Sequence, residues 1–183
     1  MIMKRLLLPF ALIFTCMTLQ AQEISTEQWT LITKRTADWC PFCGQWGWTF
    51  KNNVLEDTQD KDVVFWMAHH SGDLRTPTSS AVVGNFGGGG QPLFYINNDN
   101  MGVNSVNIDS KRSEFEGLID ANNGFEAFAG VGTRAVFDGE KITTTSRAQF
   151  FEGAGEVIFS LASYLVDDIV VAPQASQGNN AVH

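Results

Sequence analysis

Residues 39–43 read Trp-Cys-Pro-Phe-Cys, and nothing else in the chain restricts its architecture so strongly as these two cysteines separated by two residues. A disulfide closed over so short a loop removes little entropy from the unfolded chain, roughly 2 kcal/mol, so stability is a weak reason for the pair. The spacing suits chemistry better when it stands at the junction of a strand and a helix. There the first sulfur lies at the helix N-terminus, where the dipole and the free amides favour thiolate over thiol. Cys40 is then expected as the exposed attacking sulfur and Cys43 as the shielded, resolving one. Half of a metal site and a plain staple are the competing readings.

The flanks supply that junction. Residues 29–34 (WTLITK) are rich in β-forming side chains and read as a strand, and residues 44–55 carry Trp46, Phe50 and Leu55 at helical spacing despite Gly47. Residues 62–70 (DVVFWMAHH) are apolar enough for a buried central strand, and residues 93–97 (LFYIN) read as another. Residues 109–121 open with Asp109 as an N-cap and place Phe115, Leu118 and Ile119 on one helix face. Beyond residue 125 the pattern turns to β. Asp138-Gly139 marks a hairpin turn, and residues 155–174 read as one or two more strands. The expected class is mixed α/β.

Compartment bears on the cysteines. Lys4 and Arg5 precede an apolar run from Leu6 to about Leu19 that reaches the small residue Ala21, so residues 1–21 read as a secretory signal peptide. The run is short for a membrane anchor, and Ile13-Phe14-Thr15 before Cys16 makes a poor lipidation signal. Removing residues 1–21 leaves two cysteines, 10 basic and 20 acidic residues, a net charge of −10. Such a surface repels phosphate backbones and anionic lipid, which argues against nucleic acid as a partner. The expectation is an exported protein without a transmembrane segment, in the periplasm, at the outer membrane or outside the cell.

Strand, Ala37-Asp38-Trp39-Cys40, a CxxC helix and the later GQPLFYIN (residues 90–97) together resemble the thioredoxin fold. Behind a signal peptide, and followed by a β segment ending in SYLVDDIVVAPQ, they also resemble the Omp28-related outer-membrane-protein family of Bacteroidetes. The resemblance implies a thioredoxin-like domain over residues 22–125 and a β-rich segment over 126–183, a partial β-sandwich. Sequences of that family usually continue past the point matched by residues 179–183, so truncation of this segment is expected. It further implies Cys40, Cys43 and Pro92 as catalytic residues, with Gln91-Pro92 in the place of the cis-proline dipeptide. Trp39, Pro41, Phe42 and Gln91 would then line a substrate groove for exported protein thiols or disulfides.

One residue departs from the thioredoxin pattern. A buried acid stands six residues before the first cysteine there, and Lys34 stands in its place here. A carboxylate helps move the resolving cysteine's proton; a lysine is not expected to do so, although its charge would favour thiolate if it lay close. His69 and His70 end a strand, where neighbours point to opposite faces, and so are not expected to join the cysteines around a metal. Gly87–Gly90 lacks the Lys-Ser/Thr of a phosphate loop, Trp46 and Trp48 read as packing, and Asp167-Asp168 as solvated charge. No cofactor is expected. Two functions follow: an exported thiol–disulfide oxidoreductase, or a non-catalytic cell-surface or periplasmic binding protein on the same scaffold.

Overall fold

The computed structural model describes residues 24–86, 89–151, 155–156 and 158–183; the expected signal peptide, and Gly87 and Gly88 of the glycine run, lie outside them. Strand β1 (Thr30–Ala37) is followed by the single-turn helix α1 (Pro41–Gly44) and by α2 (Trp46–Asp57). Strand β2 (Val63–Ser71), helix α3 (Pro77–Gly84) and strands β3 (Leu93–Ile96) and β4 (Asp99–Asn100) come next, then helix α4 (Ile108–Asn123). The class is mixed α/β. The main sheet has the order β2-β1-β3-β4, with β1 parallel to β2 and antiparallel to β3. No helix among the described residues is long and apolar enough to cross a membrane.

This order corrects one expectation. The apolar run at residues 62–70 was expected as a buried central strand, yet β2 is an edge strand among the described residues, and only Ala68 and His69 within it are fully buried. The central place belongs to β1, whose two sides are hydrogen-bonded to β2 and β3. Its Thr30, Thr33, Lys34 and Thr36 are all buried, polar side chains notwithstanding. Composition could not reveal this, because a strand's burial depends on its neighbours in the sheet as well as on its own side chains.

Helices α2 and α4 cover one face of the sheet. Phe50 of α2 makes edge-on contacts with Phe94 of β3 at 4.7 Å and Phe115 of α4 at 5.0 Å, and Ile32, Val54, Ile96 and Ile119 fill in around them. Of the three apolar residues expected on one face of α4, Phe115 and Ile119 are buried and Leu118 stays 42 % exposed. The helix begins two residues earlier than expected, with Asn107 rather than Asp109 at the N-cap and Asp109 within the first turn. At α3, which packs on β2, Thr76 and Ser79 form a reciprocal capping box.

Beyond α4 come two antiparallel ribbons. Strands β5 (Ala129–Phe137) and β6 (Ile142–Phe150) form a hairpin whose turn is held by the Asp138 carboxylate, which accepts from the amides of Glu140 and Lys141, with Gly139 at φ 102°. Strands β7 (Val171–Gln174) and β8 (Gly178–Val182) form the second. Each ribbon is a separate two-stranded sheet, and among the described residues β7–β8 is bound to the turn after β1 rather than stacked on β5–β6, so the expected partial sandwich does not form there. Among the described residues the strands expected within residues 155–174 reduce to β7, because residues 158–169 have no ladder partner there. Phe50→Ala is expected to cost about 3–5 kcal/mol in urea unfolding, since it empties the space between Phe94 and Phe115. A loss below 1 kcal/mol would mean that this aromatic cluster is not the centre of the core.

Candidate functional site

The site begins where β1 ends. Asp38 and Trp39 turn the chain, the Cys40 amide donates to Ala37 O (3.2 Å), and Cys40 becomes the N-cap of α1, its Sγ accepting from the Cys43 amide at 3.1 Å. Proline at the first helical position suits this start, since the amide it lacks has no intrahelical partner there. Cys40 and Cys43 are joined as a disulfide, with Cα atoms 5.2 Å apart. Together with Ala37 they form a small buried apolar cluster apart from the main core.

Two distant segments hold this turn. On one side the Asp38 carboxylate accepts from the Asp73 amide (2.9 Å) and Trp39 Nε1 donates to Ser71 Oγ (3.1 Å), tying the turn to the end of β2. Gly72, at φ +96°, leaves no room for a side chain against Asp38. On the other side lies the β7–β8 turn. Buried Gln174 points its amide nitrogen at three carbonyl oxygens, of Ala37, Asp38 and Cys40, at 3.0–3.1 Å. The Ala175 amide donates to Asp38 O (2.7 Å), and Gln177 donates to Gly44 O. Gly44 is required here, because a Cβ would sit 1.8 Å from Ala175 O.

Gln91-Pro92 forms the remaining wall. Its peptide bond is cis, Gln91 O lies 3.7 Å from Cys40 Sγ, and Pro92 packs so closely on α2 that a Cβ at Gly47 would meet it at 2.6 Å. Around the disulfide Trp39 and Phe42 are 58 % and 59 % exposed, and Pro41 is exposed as well. One detail differs from expectation. Cys40 is only 3 % exposed, against 0 % for Cys43, because the Gln91 carbonyl and the β7–β8 turn close over it. The seven residues expected at the site are thus brought to one place. Gln174, Ser71 and Asp73 join them without any sequence signal, since nothing local sets them apart from ordinary polar residues.

Behind the disulfide lies Lys34, fully buried on β1. Its Nζ donates to Cys43 O at 3.3 Å and stands 4.9 Å from the centre of the Trp48 ring. Lys51 covers the same ring at 3.8 Å and donates to Val182 O. Among the described residues no carboxylate forms an ion pair with Lys34. Burial, and secondarily the charge of Lys51, lower the Lys34 pKa to about 7. His69 is also buried, its ring 5.0 Å from that of His183, and burial above all brings its pKa down to about 4. Among the described residues no group of three or more His, Cys, Asp or Glu side chains could hold a metal ion.

No protein-family profile and no curated protein matches the chain. Among solved structures it is similar to HBP35 of Porphyromonas gingivalis, with a TM-score of 0.61 at 14% sequence identity. The alignment covers 88% of this chain and 55% of that one, so the chain spans little more than half the neighbour's length. At this identity the likeness is one of fold.

Two measurements test the site's physical description. The unfolded chain binds a proton at Lys34 up to pH 10.5, whereas the folded chain releases it above about 7, so the burial penalty is complete below 7 and fades as pH rises. Urea unfolding is therefore expected to show wild type gaining roughly 3 kcal/mol relative to Lys34→Met between pH 7 and 9.5. Parallel pH profiles for the two proteins would show a lysine charged at neutral pH. Gln174→Ala is expected to cost about 0.5–1.5 kcal/mol, as three carbonyls that each keep a backbone donor lose the buried side-chain amide they share, and exposed Gln177→Ala less. Equal losses would deny Gln174 its place in the clamp.

Proposed function

We propose that the protein is an exported thiol–disulfide oxidoreductase of thioredoxin-like fold that works on the thiols or disulfides of other exported proteins. The observation that carries this reading is the Cys40–Cys43 disulfide at the start of a helix, with Cys40 Sγ 3.7 Å from the carbonyl of a cis Gln91-Pro92 segment. The sheet order and the fold likeness to HBP35 support it. Export and a station in the periplasm, at the outer membrane or outside the cell rest on residues 1–21, as does kinship with the Omp28-related family in part. Trp39, Pro41, Phe42 and Gln91 would receive the extended client chain, the two exposed aromatic rings before and after Cys40 in sequence supplying apolar contact.

The chemistry balances within the dithiol. In the reducing direction Cys40 thiolate attacks a client disulfide, forming a mixed disulfide and releasing one client sulfur as thiolate. Cys43 then attacks Cys40 Sγ, closing the internal disulfide and releasing the second client sulfur, so the client gains the two electrons that the protein loses. The oxidising direction is the reverse.

A non-catalytic binding role is the second reading, favoured by the 3 % exposure of Cys40 and the clamp over it. Cys43→Ser separates the two. For an oxidoreductase this variant is expected to accumulate mixed disulfides with exported proteins, visible on non-reducing gels, and Cys40→Ser to accumulate none. If Cys43→Ser traps nothing and wild type neither reduces nor oxidises a model protein disulfide, the binding role stands.

A further inference from the structure

Lys34 has the surroundings of a base. It is fully buried, among the described residues it pairs with no acid, and its amine reaches the carbonyl of Cys43, the cysteine that must lose a proton before it can attack. We propose that Lys34, as an uncharged amine, takes the proton of the Cys43 thiol when that sulfur resolves a mixed disulfide on Cys40. The inference deepens the oxidoreductase reading and rests on it for the identity of the client.

Geometry narrows the choice of acceptor. Cys43 is 0 % exposed and packed with Ala37 and Cys40, so its thiol cannot hand a proton straight to bulk water. The Cys43 amide is already used, donating to Cys40 Sγ. Lys34 Nζ stands 3.3 Å from the same residue's carbonyl, which places the amine beside Cys43. Other titratable groups face this region from the packed elements: Lys51 on α2, His69 on β2, His183 beyond β8, and Asp38 in the turn after β1. Lys51 is committed to Val182 O, and the two histidines pack on one another. Each of these groups lacks a hydrogen bond to Cys43 among the described residues, whereas Lys34 has one.

In the step itself the Cys43 S–H proton passes to the lone pair of Lys34, and Cys43 thiolate attacks Cys40 Sγ. The bond between Cys40 and the client sulfur breaks with both electrons going to the client, which leaves as thiolate and is protonated by solvent. The Lys34 ammonium, itself buried, then gives its proton to water that enters once the client has left. Burial and the Lys51 charge lower Lys34 to about 7, so the amine is available uncharged at neutral pH and the ammonium parts with its proton readily. The earlier expectation that a lysine cannot serve here held for an ordinary, charged lysine; burial removes its premise.

Dithiobis(nitrobenzoate) added to the reduced protein reads the step directly, with no client needed. The first thionitrobenzoate is released when Cys40 attacks, the second when Cys43 resolves. In wild type the second release is expected to accelerate with pH about a midpoint near 7. In Lys34→Met and Lys34→Arg it should be about a hundredfold slower at neutral pH, with its midpoint moved towards a free thiol's value of about 8.5, while the first release changes little. Arginine keeps the charge but accepts no proton, so a Lys34→Arg protein with the wild-type second rate and profile overturns the proposal in favour of charge stabilisation. A wild-type second rate in Lys34→Met overturns it too, and carries the test alone if the arginine variant does not fold. A wild type with this profile whose Cys43→Ser variant traps no client keeps the proton role of Lys34 and loses the client reading.

Discussion

The arrangement depends on β1 being a strand bonded on both sides. With β2 along its whole length on one edge and β3 along Ile32–Arg35 on the other, it is held on both sides, and its end at Ala37 is a fixed point from which the turn through Asp38 and Trp39 delivers Cys40 to the start of α1. Helix α2 is fixed in turn by Phe50, wedged between Phe94 and Phe115. Because α1 and α2 are separated only by Gln45, the core contact made by Phe50 also sets where the cysteines lie. Rigid packing on one side of the sheet is thus converted into position on the other side of a single turn.

The same centrality explains the chemistry behind the disulfide. A lysine in the middle strand of a sheet, covered by Trp48 and Phe94, cannot carry its charge into water, and no acid stands beside it among the described residues to compensate. Its proton affinity falls as a result. Where a buried carboxylate is raised towards neutrality by such a site, a lysine is lowered towards it. Residues of opposite charge thereby converge on the same ability to exchange a proton near pH 7.

Legibility in the sequence followed the range of the interactions. The strand before the cysteines, the helix after them, the Asp138-Gly139 hairpin and the apolar face of α4 are set by local pattern, and each lies close to where pattern places it. The edge position of β2 was not legible, because Val63–Ser71 has the same composition whether a neighbour covers one side or two. Nor was the irregular course of residues 158–169, where Ile158, Leu161, Leu165 and Val166 suggest a strand but find no ladder partner among the described residues. At the site Cys40, Cys43 and Pro92 announce themselves by type and spacing. Lys34 was visible as an anomaly of position, but its burial, which decides its character, was not. Gln174 was invisible, for an amide becomes a clamp only when carbonyls from a distant turn are brought to it.

That clamp has a consequence in time. Gln174 meets Ala37 across 137 residues of chain, so the cysteine motif emerges long before the segment that closes over it. During synthesis the β1–α1 junction exists for that interval without the Gln174 amide and with Gly44 uncovered. Long-range closure of this kind is among the slower events of folding. The pair of cysteines is therefore at its most accessible to passing thiols while the chain is young, and joining of the last ribbon marks the moment at which the centre acquires its mature environment.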